Sequence, residues 1–350
     1  MALRPARTFL IVLLLLALGL AFGGAVAWSR LDGPGPLARP HAVVIPKGAG
    51  GEGIARRLHE SGVIADPWLF RLAARILGRS KPLRAGEYEF PARASAFEAI
   101  RLLQSGRTVV RRLTVPEGLT VRQVMGLLID AEGLEGPVTR LAGEGWLLPE
   151  TYHYSWGDTR QGLVERMEAA MRDALARAWG ARAGESPRAT DNAPLSGRSA
   201  PPILKTPEEA LTLASIVEKE TGVAAERPRI AAVFLNRLKA NMKLQSDPTV
   251  IYGISRGEGN FNRALARADL EADTPYNTYT RAGLPPGPIA NPGRSSIEAV
   301  LNPVASDELY FVADGTGGHA FAKTLDEHNR NVARWRRIRD GRDGNAVPPK

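Results

Sequence analysis

From Thr8 to Trp28 the chain reads TFLIVLLLLALGLAFGGAVAW, with no charged residue in the run. That is close to the ~20 residues a helix needs to cross the hydrocarbon core of a bilayer. The next stretch, Leu31 to Pro40 (LDGPGPLARP), has no apolar period and reads as a Gly/Pro-rich tether over 31–41. A local pattern then occurs twice. Val44-Ile45-Pro46-Lys47-Gly48 leads into Ile54, Ala55 and Leu58, and Thr114-Val115-Pro116-Glu117-Gly118 leads into Val124, Met125 and Leu128. Each copy predicts a short β-branched strand, a turn at Pro-x-Gly and an amphipathic helix. Gly86 to Pro91 and Phe97 to Leu103 predict one more strand and helix between them.

Ala181 to Pro202 (ARAGESPRATDNAPLSGRSAPP) has no periodicity and predicts a disordered insertion over 181–203. Thr206-Pro207-Glu208-Glu209 then has the marks of a helix start: Thr as N-cap, Pro at the first position and acids in the first turn. The helix is expected to reach about Thr221, with Gly222 as its terminator. At about 100° per residue, Ala210, Leu211, Leu213, Ala214, Ile216 and Val217 sweep a wide apolar arc, and Glu208, Thr212, Ser215 and Lys219 form a polar stripe. Ile230 to Leu238 predicts a further amphipathic helix, and the basic segment 334–350 a frayed tail. The expected layout is 1–30 cytoplasmic tip and apolar helix, 31–41 tether, 42–180 a β/α region, 181–203 insertion, 204–333 a second domain and 334–350 tail.

Charge gives this layout a direction. Arg4 and Arg7 precede the apolar run, so the N-terminus is expected inside and the rest exported. Ala25-Val26-Ala27 has the form of a signal-peptidase site, but a cleavable apolar core spans roughly 7–15 residues and this one is longer, which favours a retained anchor. The net charge of +9 and pI near 10 suit anionic partners: phospholipid, acidic cell wall or nucleic acid. An export anchor without a nucleic-acid-binding motif excludes the last. There is no cysteine, so no disulfide framework, and the five histidines are scattered, so neither a metal nor a cofactor is expected.

Two glutamates break the apolar helix. In LASIVEKET (Leu213 to Thr221), Glu218 falls between Leu211 and Ala214 on the helical wheel, and Glu220 between Leu213 and Ile216. They lie about 160° apart on the helix and cannot share one site. A carboxyl among apolar neighbours is raised by desolvation, as a general acid at neutral pH requires. The competing reading is ion pairing with Arg227, Arg229 or Arg237, and periodicity does not choose between the glutamates. Tyrosines and amides follow on Pro/Gly-stiffened loops: Leu244 to Gly253, Tyr276-Asn277-Thr278-Tyr279, the Leu284–Gly287 stretch and Asn291-Pro292-Gly293. Flat rings and amides suit a sugar bearing N-acetyl groups.

In order along the chain, EGWLLPETY (Glu144 to Tyr152), LASIVEKET, VFLNRL, LQSDPTVIYG, YNTYTRAGLPPGPIANPG and LYFVADGTGGHAF (Leu309 to Phe321) resemble the MltG, or YceG-like, endolytic murein transglycosylases, from about Val43 to Val332. The resemblance implies an α+β chain: an N-terminal single transmembrane helix, a LysM-like β/α region and a mixed α/β catalytic domain. Whether the repeat binds glycan or is duplicated for packing stays open. The resemblance also implies a lyase of peptidoglycan glycan strands, cleaving the MurNAc–GlcNAc bond with 1,6-anhydro-MurNAc ends and terminating strand elongation. Its catalytic acid would be the first glutamate of the triplet, Glu218, with Glu220 structural or supporting. Gln245, Asp247, Tyr252, Tyr276, Asn277, Tyr279 and Asn291 are expected to line the glycan cleft. The implied place is the bacterial inner membrane, single-pass, with a periplasmic catalytic domain. The cytoplasmic membrane and peptidoglycan synthases are the implied partners. The alternatives are a water-using muramidase and a non-catalytic peptidoglycan-binding scaffold.

Overall fold

The computed structural model describes residues 4–78, 81–182, 203–258 and 261–343. The expected insertion 181–203 lies almost entirely outside the described residues. The described chain divides into two compact units, the first formed by residues up to Arg112 with 132–135 and 153–158, the second by the rest.

In the first unit, α1 (Arg4–Asp32) contains the apolar run. Its segment Phe9–Asp32 is long and apolar enough to cross a membrane. Strands β1 (His41–Ile45) and β2 (Gly86–Phe90) pair antiparallel, Val43 opposite Tyr88. Helices α2 (Gly51–Glu60), α3 (Pro67–Leu77) and α4 (Ala96–Ser105) complete the unit. Leu58, Phe70, Tyr88, Phe90, Ile100 and Leu103 are fully enclosed in its core. Two of these helix starts have a local cause in a capping side chain. The Asp66 carboxylate accepts the amides of Trp68 and Leu69, and Ser95 and Glu98 form a reciprocal capping box.

The segment expected to be a loose tether is packed instead. Leu31 and Leu37 belong to the core, and Gly35 donates to the carbonyl of Arg93. A Cβ on Gly35 would stand 2.2 Å from the Ala94 oxygen and 2.7 Å from that of Val63. Glycine here permits tight backbone packing rather than slack. The apolar helix α1 is thereby packed onto the rest of the first unit, with the Trp28 ring 4.9 Å from that of Phe97.

The second copy of the repeat supplies β3 (Arg111–Thr114) and α5 (Val121–Asp130), with β3 paired to β4 (Thr151–Tyr154). The division between units falls within both strands, so most of this copy belongs to the second unit. That unit continues with α6 (Arg160–Arg182), α7 (Pro207–Glu220), α8 (Arg227–Lys239), α9 (Asp247–Ser255), α10 (Arg267–Glu271) and α11 (Arg294–Leu301). It closes with a hairpin of β5 (Tyr310–Ala313) and β6 (His319–Ala322), then α12 (Leu325–Asp343).

Helix α7 is the axis of this unit. Residues 210–217 are buried on every side, against α6, α8 and α11. The expected polar stripe is therefore solvated at its ends, Glu208 and Lys219, and buried in its middle. Thr212 and Ser215 are enclosed, their hydroxyls bonding to the carbonyls of Glu208 and Thr212. Two further expectations change. Asp247 to Ser255, read as a stiffened loop, is helical, because Pro248 sits in the first turn where a missing N–H loses no bond. The segment 334–343, read as tail, continues α12, where Ile338 packs on Gly315.

Candidate active site

The C-terminal turn of α7 carries both glutamates out of the core, and their opposite bearings give them different surroundings. Thr206 caps the start of this helix by accepting the amide of Glu209 at 3.2 Å, as its sequence predicts.

Glu218 is held by donors on both oxygens. Oε1 accepts from Arg227 at 3.0 Å, and Oε2 accepts from the amide of Gly293 at 2.9 Å and the hydroxyl of Ser296 at 2.8 Å. The carboxylate thus stands at the start of α11, where the helix dipole favours negative charge. Its side chain is 4% exposed and that of Arg227 12%. Arg227 also bonds Glu117 at 3.0 Å, and a Cβ on Gly293 would collide with the Glu117 carboxylate. Burial and the neighbouring Glu218 charge raise Glu117, against the pull of Arg227. Every polar atom of the Glu218 carboxylate is engaged in tying α7 to α11 and to the turn after β3. The acid role that the resemblance implies for Glu218 thus falls on a carboxylate whose two oxygens both accept hydrogen bonds.

Glu220 faces the other way. It accepts the hydroxyl of Ser246 and lies beside Asp247, His319 and Arg237. Burial pushes its carboxyl up to about 7; the Ser246 hydrogen bond opposes that rise, Asp247 adds to it, and His319 and Arg237 oppose it. The residue keeps part of its surface in solvent. Ser246 occupies the N-cap position of α9 without capping it, because its hydroxyl is committed to Glu220. The wall beside it is stitched in place. The Ser246 amide donates to Thr278 Oγ1 at 3.0 Å, the Gln245 amide to the Thr278 carbonyl at 3.2 Å, and the Tyr279 hydroxyl to Asp247 at 2.6 Å. Gln245 and Asp247 are exposed. Behind Glu220, Glu226 holds the His319 ring at 2.7 Å and its amide at 2.9 Å.

Of the seven expected cleft residues, Gln245, Asp247 and Tyr279 thus gather around Glu220. Tyr252 and Tyr276 form a second group, ring centroids 4.7 Å apart, with the Tyr252 hydroxyl 3.2 Å from Glu144. Burial raises the Glu144 carboxyl against the Val121 amide and the Tyr252 hydroxyl. Asn277 and Asn291 do not line a cleft: both are completely buried. The Asn277 amide donates to the carbonyls of Leu270 and Ala272 and accepts from Tyr279, shaping the loop that carries the tyrosines. Asn291 clamps the amide of Leu147 and the carbonyl of Leu119. Short amides satisfy backbone groups in tight loops as readily as they meet sugars, and burial decides for the first. Asn277→Ala is therefore expected to lower stability by roughly 1–3 kcal/mol through the stranded carbonyls, measured by urea titration. The Leu284–Gly287 stretch, expected from its prolines to be a stiff wall of the glycan cleft, stands elsewhere. Leu284, Pro285 and Pro286 line a depression of about 420 Å³ with Glu208 and Thr212, at the opposite end of α7.

Ser246 and Glu144 are the site residues that sequence reasoning passed over. Ser246 stands between Gln245 and Asp247, and Glu144 opens the EGWLLPETY segment, so position next to chosen residues was the available signal.

Residues 43–334 match the YceG-like family. The chain belongs to the YceG-like family. An endolytic murein transglycosylase of Streptococcus pneumoniae is 30% identical over 373 residues, covering 93% of this chain and 64% of that protein. One from Bacillus subtilis is 52% identical over 120 residues, 34% of this chain and 32% of its own. The chain thus spans less than two thirds of these relatives. A crystal structure of a YceG-like protein from Listeria monocytogenes superposes with a TM-score of 0.50 at 30% identity, over 83% of this chain and 98% of that one. The mixed α/β architecture of the chain is accordingly that of a YceG-like protein.

Proposed function

We propose that this protein is a lytic transglycosylase of peptidoglycan, with Glu220 as its proton donor and acceptor. The observation that carries the reading is the enclosed, raised carboxyl of Glu220, held by Ser246 beside the exposed Gln245 and Asp247. The roles expected of the two glutamates are exchanged in this proposal. Protonated Glu220 donates to the glycosidic oxygen between N-acetylmuramic acid and N-acetylglucosamine as that bond breaks. The carboxylate then removes the proton from the 6-hydroxyl of the same muramoyl sugar, whose oxygen attacks the anomeric carbon and closes a 1,6-anhydro ring. The attacking hydroxyl is tethered, so proximity replaces the water-activating group of ordinary glycosidases. Asp247 acts twice, helping keep Glu220 protonated in the resting site and stabilising the oxocarbenium-like positive charge as the bond breaks. Gln245 and Tyr279 frame the sugar, and the Tyr252–Tyr276 pair offers ring faces to the strand.

Endolytic cleavage of nascent strands would make the enzyme a terminator of glycan elongation. The LysM-like strand–turn–helix copies would bind the strand, and peptidoglycan synthases would be its neighbours. The test is mass spectrometry of the ends released from purified glycan: anhydro ends support the reading, and reducing ends overturn it in favour of a muramidase, the second reading that the neighbouring Asp247 favours. Because the acid form is the active one, turnover should fall as pH rises through about 7.

α1 would be a retained single-pass anchor in the inner membrane, with Arg4 and Arg7 inside and the remainder periplasmic. In intact spheroplasts, externally added protease is expected to digest everything after the anchor. A mature N-terminus mapped at Trp28 would overturn the anchor.

A further inference from the structure

Helix α3 presents two unlike faces. Phe70, Ala73 and Ala74 are buried in the core of the first unit. On the outer side Trp68, Leu72 and Ile76 recur every fourth residue with 64%, 44% and 63% of their surface exposed. Arg71 and Arg75 are exposed along one border of this stripe, Arg71 standing 3.8 Å from the exposed Glu52 carboxylate of α2. The core already occupies the inner face, so nothing in the unit's own packing accounts for an outer stripe containing a tryptophan. Its neighbour does. Leu16, Leu20 and Gly23 of the apolar helix α1 line one depression of about 1140 Å³ together with Trp68, Leu69 and Leu72. The packed segment around Gly35 and the contact of Trp28 with Phe97 of α4 tie α1 to the unit that carries α3. The α1 side of this depression runs from Val12 to Arg30, and its charged end, Arg30 with Asp66 at the start of α3, marks where a bilayer crossed by α1 begins.

We propose that α3 is an interfacial helix. Its Trp68–Leu72–Ile76 stripe is seated in the headgroup layer of the membrane that α1 crosses, with Arg71 and Arg75 on acidic phospholipid. Tryptophan prefers this layer because its ring is apolar and its N–H seeks water. Arginine beside an apolar stripe extends its stem over the lipid and keeps its charge among phosphates. The helix would hold the first unit flat against the bilayer by a contact separate from the span itself. The inference rests on the anchor reading of α1 and is independent of the glutamate chemistry.

The chain has no cysteine, so single cysteines report cleanly. Full-length protein carrying Leu72→Cys, Ile76→Cys, Glu89→Cys or Leu15→Cys is spin-labelled and reconstituted into bilayers containing phosphatidylglycerol. Collision with lipid-soluble oxygen is then compared with collision with a water-soluble nickel complex. Labels at 72 and 76 should favour oxygen, as at Leu15, while the label at exposed Glu89 on β2 favours nickel. Labels at 72 and 76 that behave like Glu89 while Leu15 remains in lipid would overturn the interfacial helix and leave the anchor standing. Nickel access at Leu15 would overturn both. Each arginine at an acidic surface should contribute about fivefold to the docked-to-undocked ratio. Arg71→Glu with Arg75→Glu, or a bilayer of phosphatidylcholine alone, should therefore move both labels toward nickel. Labels at 72 and 76 unchanged by both treatments would overturn the acidic-lipid contact.

Discussion

Glu220→Gln is expected to eliminate the formation of anhydro ends, a fall of about 10⁴-fold, the upper end of what general acid–base catalysis supplies, because one group serves both steps. The amide keeps the size of the side chain and can still accept the Ser246 hydroxyl, so the wall formed by Gln245, Asp247 and Tyr279 should persist. Only the transferable proton is lost. The same substitution has a stability signature set by the raised, buried carboxyl. The unfolded carboxyl titrates near 4.5 and the folded one at about 7. Between those values the native chain keeps a proton that the unfolded chain has released. Native stability therefore falls as pH rises across this window and is level above it. At about 1.4 kcal/mol per pH unit the fall amounts to roughly 3 kcal/mol. Glu220→Gln should abolish that slope and leave the protein more stable than its parent at pH 8, while turnover is lost. Denaturant titrations at pH 5 and pH 8, with product analysis at each pH, read both effects. Loss of turnover accompanied by lost stability at pH 8 would speak against the assignment.

Much of this fold can be traced to short-range pattern. Thr206, Pro207 and the acids behind them start α7 as predicted, and the strand–turn–helix copies begin at the expected places. These features depend on neighbours in sequence: a capping side chain, a missing proline N–H, an apolar residue every third or fourth position. What the wheel did not contain was the identity of the groups meeting each face of α7. That Glu218 would find the Gly293 amide and Ser296, 75 and more residues away, is a matter of tertiary packing. The polar stripe misled for a related reason. Thr212 and Ser215 satisfy their hydroxyls on the carbonyls of their own helix, which lets them be buried without an outside partner. Asn277 and Asn291 were recognised as important yet assigned to the wrong task. An amide in a Pro/Gly-rich loop reads the same whether it meets a sugar or a carbonyl. Gln245, Asp247 and Tyr279 come together because their two segments pair through Thr278, a contact that is again tertiary.

Glu218→Gln should act on the fold more than on the chemistry. Gln can offer one oxygen to Arg227, but its other end becomes an NH₂ pointing at the Gly293 N–H, donor against donor. The alternative flip places NH₂ against the guanidinium. Either way a buried donor is left unsatisfied and Glu117 becomes the one charged partner of Arg227 in this cluster, so a loss of about 3 kcal/mol is expected at neutral pH. Turnover per folded molecule should fall far less than in Glu220→Gln, and any loss should track unfolding. The pairing has an internal control. Replacing Glu218 by Leu and Arg227 by Met together removes both charges and their mutual dependence. The double variant should therefore be more stable than the sum of the two single changes predicts. Near-additive losses would mean that the ion pair contributes little to the fold. A Glu218→Gln protein with unchanged stability and no turnover would return the catalytic role to the first glutamate, as the family resemblance implies. The opposite signs expected for the two glutamates in stability above neutral pH make that distinction measurable before any substrate is added.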